Sequence, residues 1–426
     1  MPLYYSSKEP SVLNLPKKRL INVTSEHANL MVPNQQSLII KGQGVSAIVL
    51  KEPASLAWEI YSKDKTQGLK LEVLDTGAVL YQLYVHDDFG KKQKDWKKIA
   101  YTDKTVAALD LDLNCVYWFS IDGPNQRVSY GKGEMRQATV CLNYPPQSSK
   151  STETSTTGLE WLKEVCVVTL DSSAALPICH IWREPVTLDP ALIVLGTDCI
   201  TMMDVANNSA TVPENLTSAC QIIHANITGT RFQLDTPDFP DFSKAIEASI
   251  ADEQGWCHKT LKEKECEFGK CDEQSTYLRI TLGVNQGDSP GIPNVLEIWP
   301  PGHYSPIHNH GDANAIIRVL HGEIEVQLYP MLSVEHIEPF ATKRFVKDQV
   351  TWLSPGLNQI HKLKNPHEHG PTCITIQSYL YGEANDTHYE YFDYIDGDKI
   401  KQFTPNSDMG FIQFKAKMKE EWYKKN

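Results

Sequence analysis

The chain has 426 residues, of which 41% are hydrophobic and 22% charged, and its formal net charge is −12. This length exceeds one ordinary hydrophobic core and predicts two or three domains, and the composition is that of a globular protein. The acidic balance argues against nucleic acid as a main partner. Because no apolar run is long enough for a signal peptide or a membrane helix, we expect a cytoplasmic protein without membrane contact.

Residues 1–145 contain short runs of alternating polar and apolar residues, among them LKLEVLD and AVLYQLYVHD. Many short strands at regular spacing favour an antiparallel β-sandwich, which we interpret as a possible binding module. The polar, Ser/Thr-rich stretch 146–158 predicts a linker. Residues 159–235 form a mixed β region to which the sequence gives no clear assignment.

The hydrophobic period changes from that of strands to that of helices near residue 236. Phe242, Ile246 and Ile250 recur every four residues, and Asp241 before them suits a helix N-cap. One or two helices are therefore expected, followed by a second series of strands. Residues 236–426 are predicted to form one domain, with a further helix at the chain end.

Ten cysteines are spread along the chain, and we expect them to be reduced thiols in the core. Cys257, Cys266 and Cys271 lie closer together, with His258 beside the first. A structural zinc site on these residues is an alternative, although the usual Cys-x-x-Cys spacing is absent.

Two histidines in the C-terminal half stand in the phrase PIHNH. His308 and His310 are two residues apart, so in a β-strand both side chains point to the same face. His361 follows about fifty residues later. Three imidazoles from two strands would bind one metal and leave positions open for substrates. The alternative is that the three are ordinary polar residues on strands.

Glycines flank this histidine pair at fixed distances. The pattern is Gly302-x5-His308-x-His310-x4-Ala315-x6-Gly322. It has the skeleton of the general cupin motif, with Ala315 where that motif carries a glutamate ligand. The later block His361-x3-Asn365 matches the end of the second cupin motif.

With these blocks, the stretches TYLR, WPPGHYSPIHNH, HKLKN and SYLYG make residues 238–398 resemble the cysteine dioxygenase family of cupin-fold thiol dioxygenases. The resemblance implies a small β-barrel, or jelly roll, that holds Fe(II) on His308, His310 and His361. It further implies oxidation of a small carboxylate-bearing thiol, of the cysteine or 3-mercaptopropionate type, to a sulfinate with O2.

The same resemblance suggests roles for three other residues. Arg279 matches the arginine that binds the substrate carboxylate in the family, and the planar guanidinium suits that task. Tyr277 matches the tyrosine beside it, and Tyr381 matches the active-site tyrosine. The alternatives are an exposed strand arginine and tyrosines that serve packing.

The chain departs from the family pattern at three positions. Ala315 stands where some members have a cysteine crosslinked to the active-site tyrosine. Tyr379 and Gln377 replace the histidine and serine of a hydrogen-bonded relay, and we take both as candidates for substrate binding. These departures leave open another three-histidine cupin reaction, such as oxidative carbon–carbon cleavage or isomerisation, and a non-enzymatic metal-binding module.

Overall fold

The computed structural model describes ten stretches of the chain: residues 34–50, 54–88, 91–110, 115–146, 158–172, 178–186, 189–282, 294–311, 313–380 and 392–425. They belong to two compact units, Met1–Asp189 and Pro190–Asn426. Most of the predicted linker, residues 147–157, lies outside the described residues, as does Tyr381. None of the helices in these stretches is long and apolar enough to cross a membrane.

The described part of the N-terminal unit consists mainly of strands. They are β1 (Gln35–Ser37), β2 (Gln43–Val49), β3 (Leu56–Tyr61), β4 (Gly68–Leu74), β5 (Gly77–Asp88), β6 (Lys91–Thr102), β7 (Val116–Asp122), β8 (Arg127–Lys132), β9 (Val140–Tyr144), β10 (Val167–Ser172) and β11 (Ile178–Trp182).

These strands form two antiparallel sheets, with the orders β1-β10-β3-β4-β5-β6 and β11-β2-β7-β8-β9. The indole of Trp58 on β3 packs against Phe119 on β7, with 6.1 Å between ring centroids. The Trp58 indole N–H also donates to the Ser46 hydroxyl on β2 at 2.9 Å. Because side chains of both sheets meet in one core, the unit is the β-sandwich that the alternating pattern predicted.

The unit boundary differs from the divisions expected from the sequence. Strand β10 pairs with β3 and β1, and β11 pairs with β2, so both belong to the sandwich. The chain from residue 190 to 235 instead belongs to the C-terminal unit, where Val194 pairs with Val350. These pairings join distant parts of the chain, and local periodicity carries no information about them.

The C-terminal unit holds fourteen strands among its described residues. They are β12 (Ile193–Val194), β13 (Ala210–Thr211), β14 (Leu278–Leu282), β15 (Asn294–Trp299), β16 (His308–Asn309), β17 (Asn314–His321), β18 (Glu323–Leu328), β19 (Ala341–Val346), β20 (Val350–Leu353), β21 (Ile360–Lys364), β22 (Cys373–Leu380), β23 (Phe392–Asp396), β24 (Lys399–Phe403) and β25 (Met409–Gly410).

Two sheets form a small barrel in this unit, with the orders β13-β12-β20-β17-β22-β15-β14-β25 and β19-β18-β21-β16-β23-β24. Ile317 and Val319 of the first sheet share one buried cluster with Val326 and Leu363 of the second. The barrel interior is thus filled by the inward residues of both sheets. This arrangement is the cupin architecture expected for the C-terminal half.

Helices cover the outer face of the larger sheet. They are α2 (Ser218–Ile227), α3 (Phe242–Ala251), α4 (Trp256–Glu263) and α5 (Phe411–Lys425), whereas the short helix α1 (Met202–Ala206) buries no side chain. Phe242 and Ile246 of α3 lie in one buried cluster with Ile280 of β14 and Ile298 of β15. These two isoleucines are on the outer face of the sheet, because the residues next to them in each strand face the barrel interior. Helix α3 follows Asp241 as predicted, although the Asp241 side chain makes no cap hydrogen bond.

The cysteines differ from expectation in two ways, the first being that Cys166 and Cys199 are exposed and do not lie in the core. Cys266 and Cys271 form a disulfide bond, so the expectation of reduced thiols is wrong for this pair. The Cys257 thiol is buried beside Met418, and His258 contacts the backbone carbonyl of Ile250 at 3.1 Å. A zinc site that uses both cysteines of the disulfide is therefore excluded in this state, because zinc binds thiolates.

Candidate metal centre

Three buried imidazoles converge inside the barrel. The Nε2 atom of His310 lies 3.0 Å from that of His308 and 3.1 Å from that of His361. All three side chains are buried, and their nitrogens form a group that can hold a metal ion. The predicted ligand triad is thus brought to one point.

Strand geometry explains this convergence. His308 begins the two-residue strand β16, and His310 lies one residue past its end, where the Asn309 side chain accepts a hydrogen bond from the Gly311 amide at 3.0 Å. His361 on β21 is the direct antiparallel partner of His308. Residues i and i+2 of one strand, and residues opposite one another on paired strands, share a face.

Burial keeps the imidazoles neutral, as metal ligation requires. It lowers the pKa of His308 to about 4, and it lowers the pKa values of His310 and His361 well below the usual range. The Nδ1–H of His308 donates to the Pro306 carbonyl at 3.0 Å, which directs the Nε2 lone pair to the centre.

The nitrogen spacing suits a single metal ion. With metal–nitrogen bonds of about 2.1 Å, one ion could contact both His308 and His310, whose nitrogens are 3.0 Å apart. Three imidazole ligands would leave further coordination positions for other ligands.

The position that carries a carboxylate ligand in the general cupin motif holds Ala315, which is fully buried and pairs with Tyr379 across β17 and β22. At the end of that motif, Gly322 separates β17 from β18 with a φ of +71°. A Cβ there would lie 2.6 Å from the Thr372 carbonyl oxygen, so glycine is required.

A cavity adjoins the triad and contains about 220 Å³ of empty space, including its opening to solvent. Its walls combine aromatic and charged side chains. They are Tyr277, Arg279, Glu297, Trp299, His308, His310, Leu363, Gln377, Tyr379 and Phe392. The enclosed space that a water-sized molecule can occupy is about 10 Å³, which is room for about one water.

Arg279 lies in this cavity wall, but the protein itself provides an anionic partner. Its Nη1 atom is 3.2 Å from Oε1 of Glu297, which faces it on the paired strand β15. Tyr277, two residues earlier on the same face, stacks on Trp299 with ring centroids 4.1 Å apart. The sequence predicted that the Arg279 guanidinium binds the carboxylate of a substrate. In the structure it is instead paired with the buried carboxylate of Glu297.

Gln377 and Tyr379 extend this pair into a hydrogen-bonded chain. The Gln377 amide donates to Oε2 of Glu297, and the Tyr379 hydroxyl donates to the Gln377 carbonyl oxygen. The Tyr379 ring stacks on His310 at 5.4 Å. The chain therefore connects Arg279 to the metal centre through residues that replace the serine and histidine of the family pattern. Tyr381, which matches the active-site tyrosine of the family, lies outside the described residues.

Sequence reasoning did not single out Glu297 or Phe392. Phe392 contacts His310 with ring centroids 4.5 Å apart, from strand β23. Glu297 is 3% exposed, and burial raises the pKa of its carboxyl to about 7, against the lowering effect of Arg279. Glu297 could have been recognised from the sequence as the single acidic residue in the apolar strand NVLEIW. A carboxylate buried in such a strand needs a polar partner.

No protein-family model matches the chain. Similar solved structures include the Cnp3 cupin domain of Schizosaccharomyces pombe, at 17% identity and TM-score 0.20, with 25% of this chain and 65% of that chain covered. A Cupin 2 conserved barrel domain protein from Salinispora arenicola matches at 17% identity and TM-score 0.20, covering 26% and 79%. Oxalate oxidase in complex with glycolate matches at 16% and TM-score 0.23, covering 28% and 56%. Such similarity concerns the fold, and scores this low carry no conclusion about activity.

Proposed function

We propose that the C-terminal unit is an Fe(II)-dependent dioxygenase that oxidises a small thiol to a sulfinate. The observation that carries the proposal is the set of three buried, neutral imidazoles, His308, His310 and His361, without a carboxylate at Ala315. Iron bound there would supply the redox chemistry with O2 and would favour the thiolate form of the substrate. The family resemblance also implies a carboxylate on the substrate, which Arg279 would bind next to its partner Glu297.

The surrounding side chains support this activity in two ways. Tyr277, Trp299 and Phe392 provide apolar walls that exclude water from the reacting sulfur. Tyr379 stacks on His310 and so holds that proposed metal ligand in position. Its hydroxyl is bonded to Gln377, which fixes the polar side of the cavity.

The metal is tested with the full chain and with two histidine variants. We expect about one iron per chain in the wild type, because three neutral imidazoles make one site. His310→Ala should lose this iron, whereas His367→Ala should retain it, because His367 pairs with Glu323 outside the triad. Equal iron content in the two variants would contradict the assigned site.

The reaction is tested by adding a panel of small thiols to the iron-loaded protein. Anaerobic addition should change the spectrum of the iron, and O2 should then be consumed in step with sulfinate formation. O2 uptake without sulfinate would point to another cupin reaction, such as carbon–carbon cleavage. No thiol binding and no uptake across the panel would contradict the proposed function.

A further inference from the structure

The disulfide between Cys266 and Cys271 closes a short loop that leads from helix α4 to strand β14. Both cysteines are exposed, whereas Phe268 between them is only 7% exposed. The two sulfurs are therefore open to small molecules in solution, while the side chain that the loop carries lies in the interior of the C-terminal unit. Exposed disulfides are the ones that thiols reduce most readily.

Phe268 connects this loop to the wall of the cavity beside the triad. Its ring stacks on Tyr277 with 6.0 Å between ring centroids, and Tyr277 stacks on Trp299 at 4.1 Å. Tyr277 and Trp299 both line the cavity. The three rings thus form one continuous stack from the disulfide loop to the candidate metal centre.

A second set of contacts leads from the loop to a proposed metal ligand. Phe268 meets Tyr394 of β23 edge to face, with centroids 5.6 Å apart, and Tyr394 is the register partner of His308. On the same strand, Asp396 lies so near Gly269 that a Cβ there would be 2.3 Å from its Oδ2 atom. The loop is therefore packed against the strand that pairs with His308.

The disulfide is a covalent closure beside a weaker one. Across the neck of the loop, the Asp272 amide donates to the Glu265 carbonyl at 2.7 Å. A bridge between residues that are five apart in the sequence restricts the open conformations of the loop by roughly thirtyfold, by loop-closure entropy. Reduction should raise the open fraction by about this factor, and the barrel strands would stay paired.

We propose that Cys266 and Cys271 form a redox-modification site, at which thiols in solution reduce the disulfide and so loosen Phe268 and speed the release of metal from the triad. The reaction is Cys–S–S–Cys + 2 R–SH → 2 Cys–SH + R–S–S–R, in which a thiolate attacks one sulfur of the disulfide and displaces the other as a thiolate. The protein disulfide is reduced and the solvent thiols are oxidised. The inference goes beyond the proposed activity and shares with it only the metal site.

The first test asks whether the pair exchanges with thiols in the folded protein. The free thiols of the metal-free full chain are blocked, dithiothreitol is added under native conditions, and new thiols are labelled and located by mass spectrometry. We expect the labels on Cys266 and Cys271. A pair that stays oxidised until the chain unfolds would be a structural disulfide only, and would overturn the inference.

Hydrogen–deuterium exchange of the oxidised and reduced metal-free chains is the second test. The Asp272 amide should exchange roughly thirtyfold faster after reduction, whereas amides of β3 in the N-terminal unit should not change. The variant with both Cys266→Ser and Cys271→Ser should behave as the reduced chain does. Cys199→Ser is the matched control, because Cys199 is exposed but makes no disulfide. Equal exchange at Asp272 in the two redox states would overturn the inference.

The third test measures metal release with Zn²⁺, which has no redox chemistry of its own. The double serine variant stands in for the reduced chain, because free thiolates would themselves bind zinc. Transfer of zinc to a chelator should be about tenfold or more faster from this variant than from wild type or Cys199→Ser, because release proceeds through the open fraction. Equal release rates would overturn the inference.

These outcomes are separate from that of the thiol oxidation assay. A chain that binds zinc and shows the three effects but oxidises no thiol would contradict the proposed function and leave this inference standing. A chain that binds neither zinc nor iron would overturn both.

Discussion

Removal of the Glu297 carboxylate should strongly destabilise the region around β14 and β15. The Glu297→Leu substitution leaves Arg279 buried and without its carboxylate, since the two side chains are 4% and 11% exposed. Loss of one partner from a buried ion pair costs about 3–5 kcal/mol. The effect applies above pH 7, because burial raises the pKa of the Glu297 carboxyl to about 7.

Hydrogen–deuterium exchange of the full chain at pH 8 measures this cost locally. It is preferable to a single unfolding curve, because a chain with two compact units need not unfold in one transition. Amides of β14 and β15 should exchange roughly 10²- to 10⁴-fold faster in Glu297→Leu, at about 1.4 kcal/mol per factor of ten. Amides of β3 in the N-terminal unit serve as the internal reference.

Glu325→Leu is the matched control, because it removes the same group from a pair at the surface. Glu325, whose own side chain is 14% exposed, lies 3.1 Å from Arg344, which is 56% exposed and free to be solvated. Surface pairs of this kind contribute about 0–1 kcal/mol, so exchange around Glu325 should rise by roughly fivefold at most. A Glu297→Leu effect no larger than that of Glu325→Leu would refute the reasoning that the Arg279–Glu297 pair is strongly coupled.

Three further predictions concern other parts of the C-terminal unit. Burial lowers the pKa of His308 to about 4, below the value of about 6.5 in an unfolded chain, so its contribution to stability is present above pH 6.5 and lost as pH falls toward 4. Hydrogen exchange of the β16 and β21 amides in metal-free protein, corrected for the intrinsic pH dependence of exchange, should show this loss of protection, and constant protection would contradict it. Ile298→Ala should cost about 2–5 kcal/mol at a fully buried site, against at most about 1 kcal/mol for Ile400→Ala at a site that is 40% exposed, as measured by exchange in each strand. Arg318→Ala removes the 2.8 Å hydrogen bond to the Ile227 carbonyl at the end of α2. The free energy of opening of that helix, measured by hydrogen exchange, should fall by about 1–3 kcal/mol. Arg344→Ala is the control and should leave it unchanged.

Local sequence patterns predicted the elements of the fold well. The repeat of Phe242 and Ile246 placed helix α3, and β15 belongs to the second series of strands expected after the helices. Such patterns are readable because the face that an element buries has the period of that element. The sandwich, the barrel and the preceding helices follow from them.

Domain limits and strand partners were decided by the tertiary structure. Strands β10 and β11 close the sandwich by pairing with β3 and β2, more than a hundred residues earlier in the chain. The contribution of residue 194 to the barrel likewise depends on its pairing with residue 350. These strand pairings cannot be read from the local sequence, because the periodicity of a strand describes that strand and not the strand beside it.

The same division applies to the candidate site. The spacing of His308 and His310, together with the match of His361 to the second cupin motif, predicted the triad, because residues two apart in an extended chain share a face. The state of Arg279 was not predictable, since its partner Glu297 comes from a different strand and meets it only through the register of β14 and β15. The sequence by itself thus determined which residues can hold a metal, whereas the tertiary structure decided which charges face the cavity beside it.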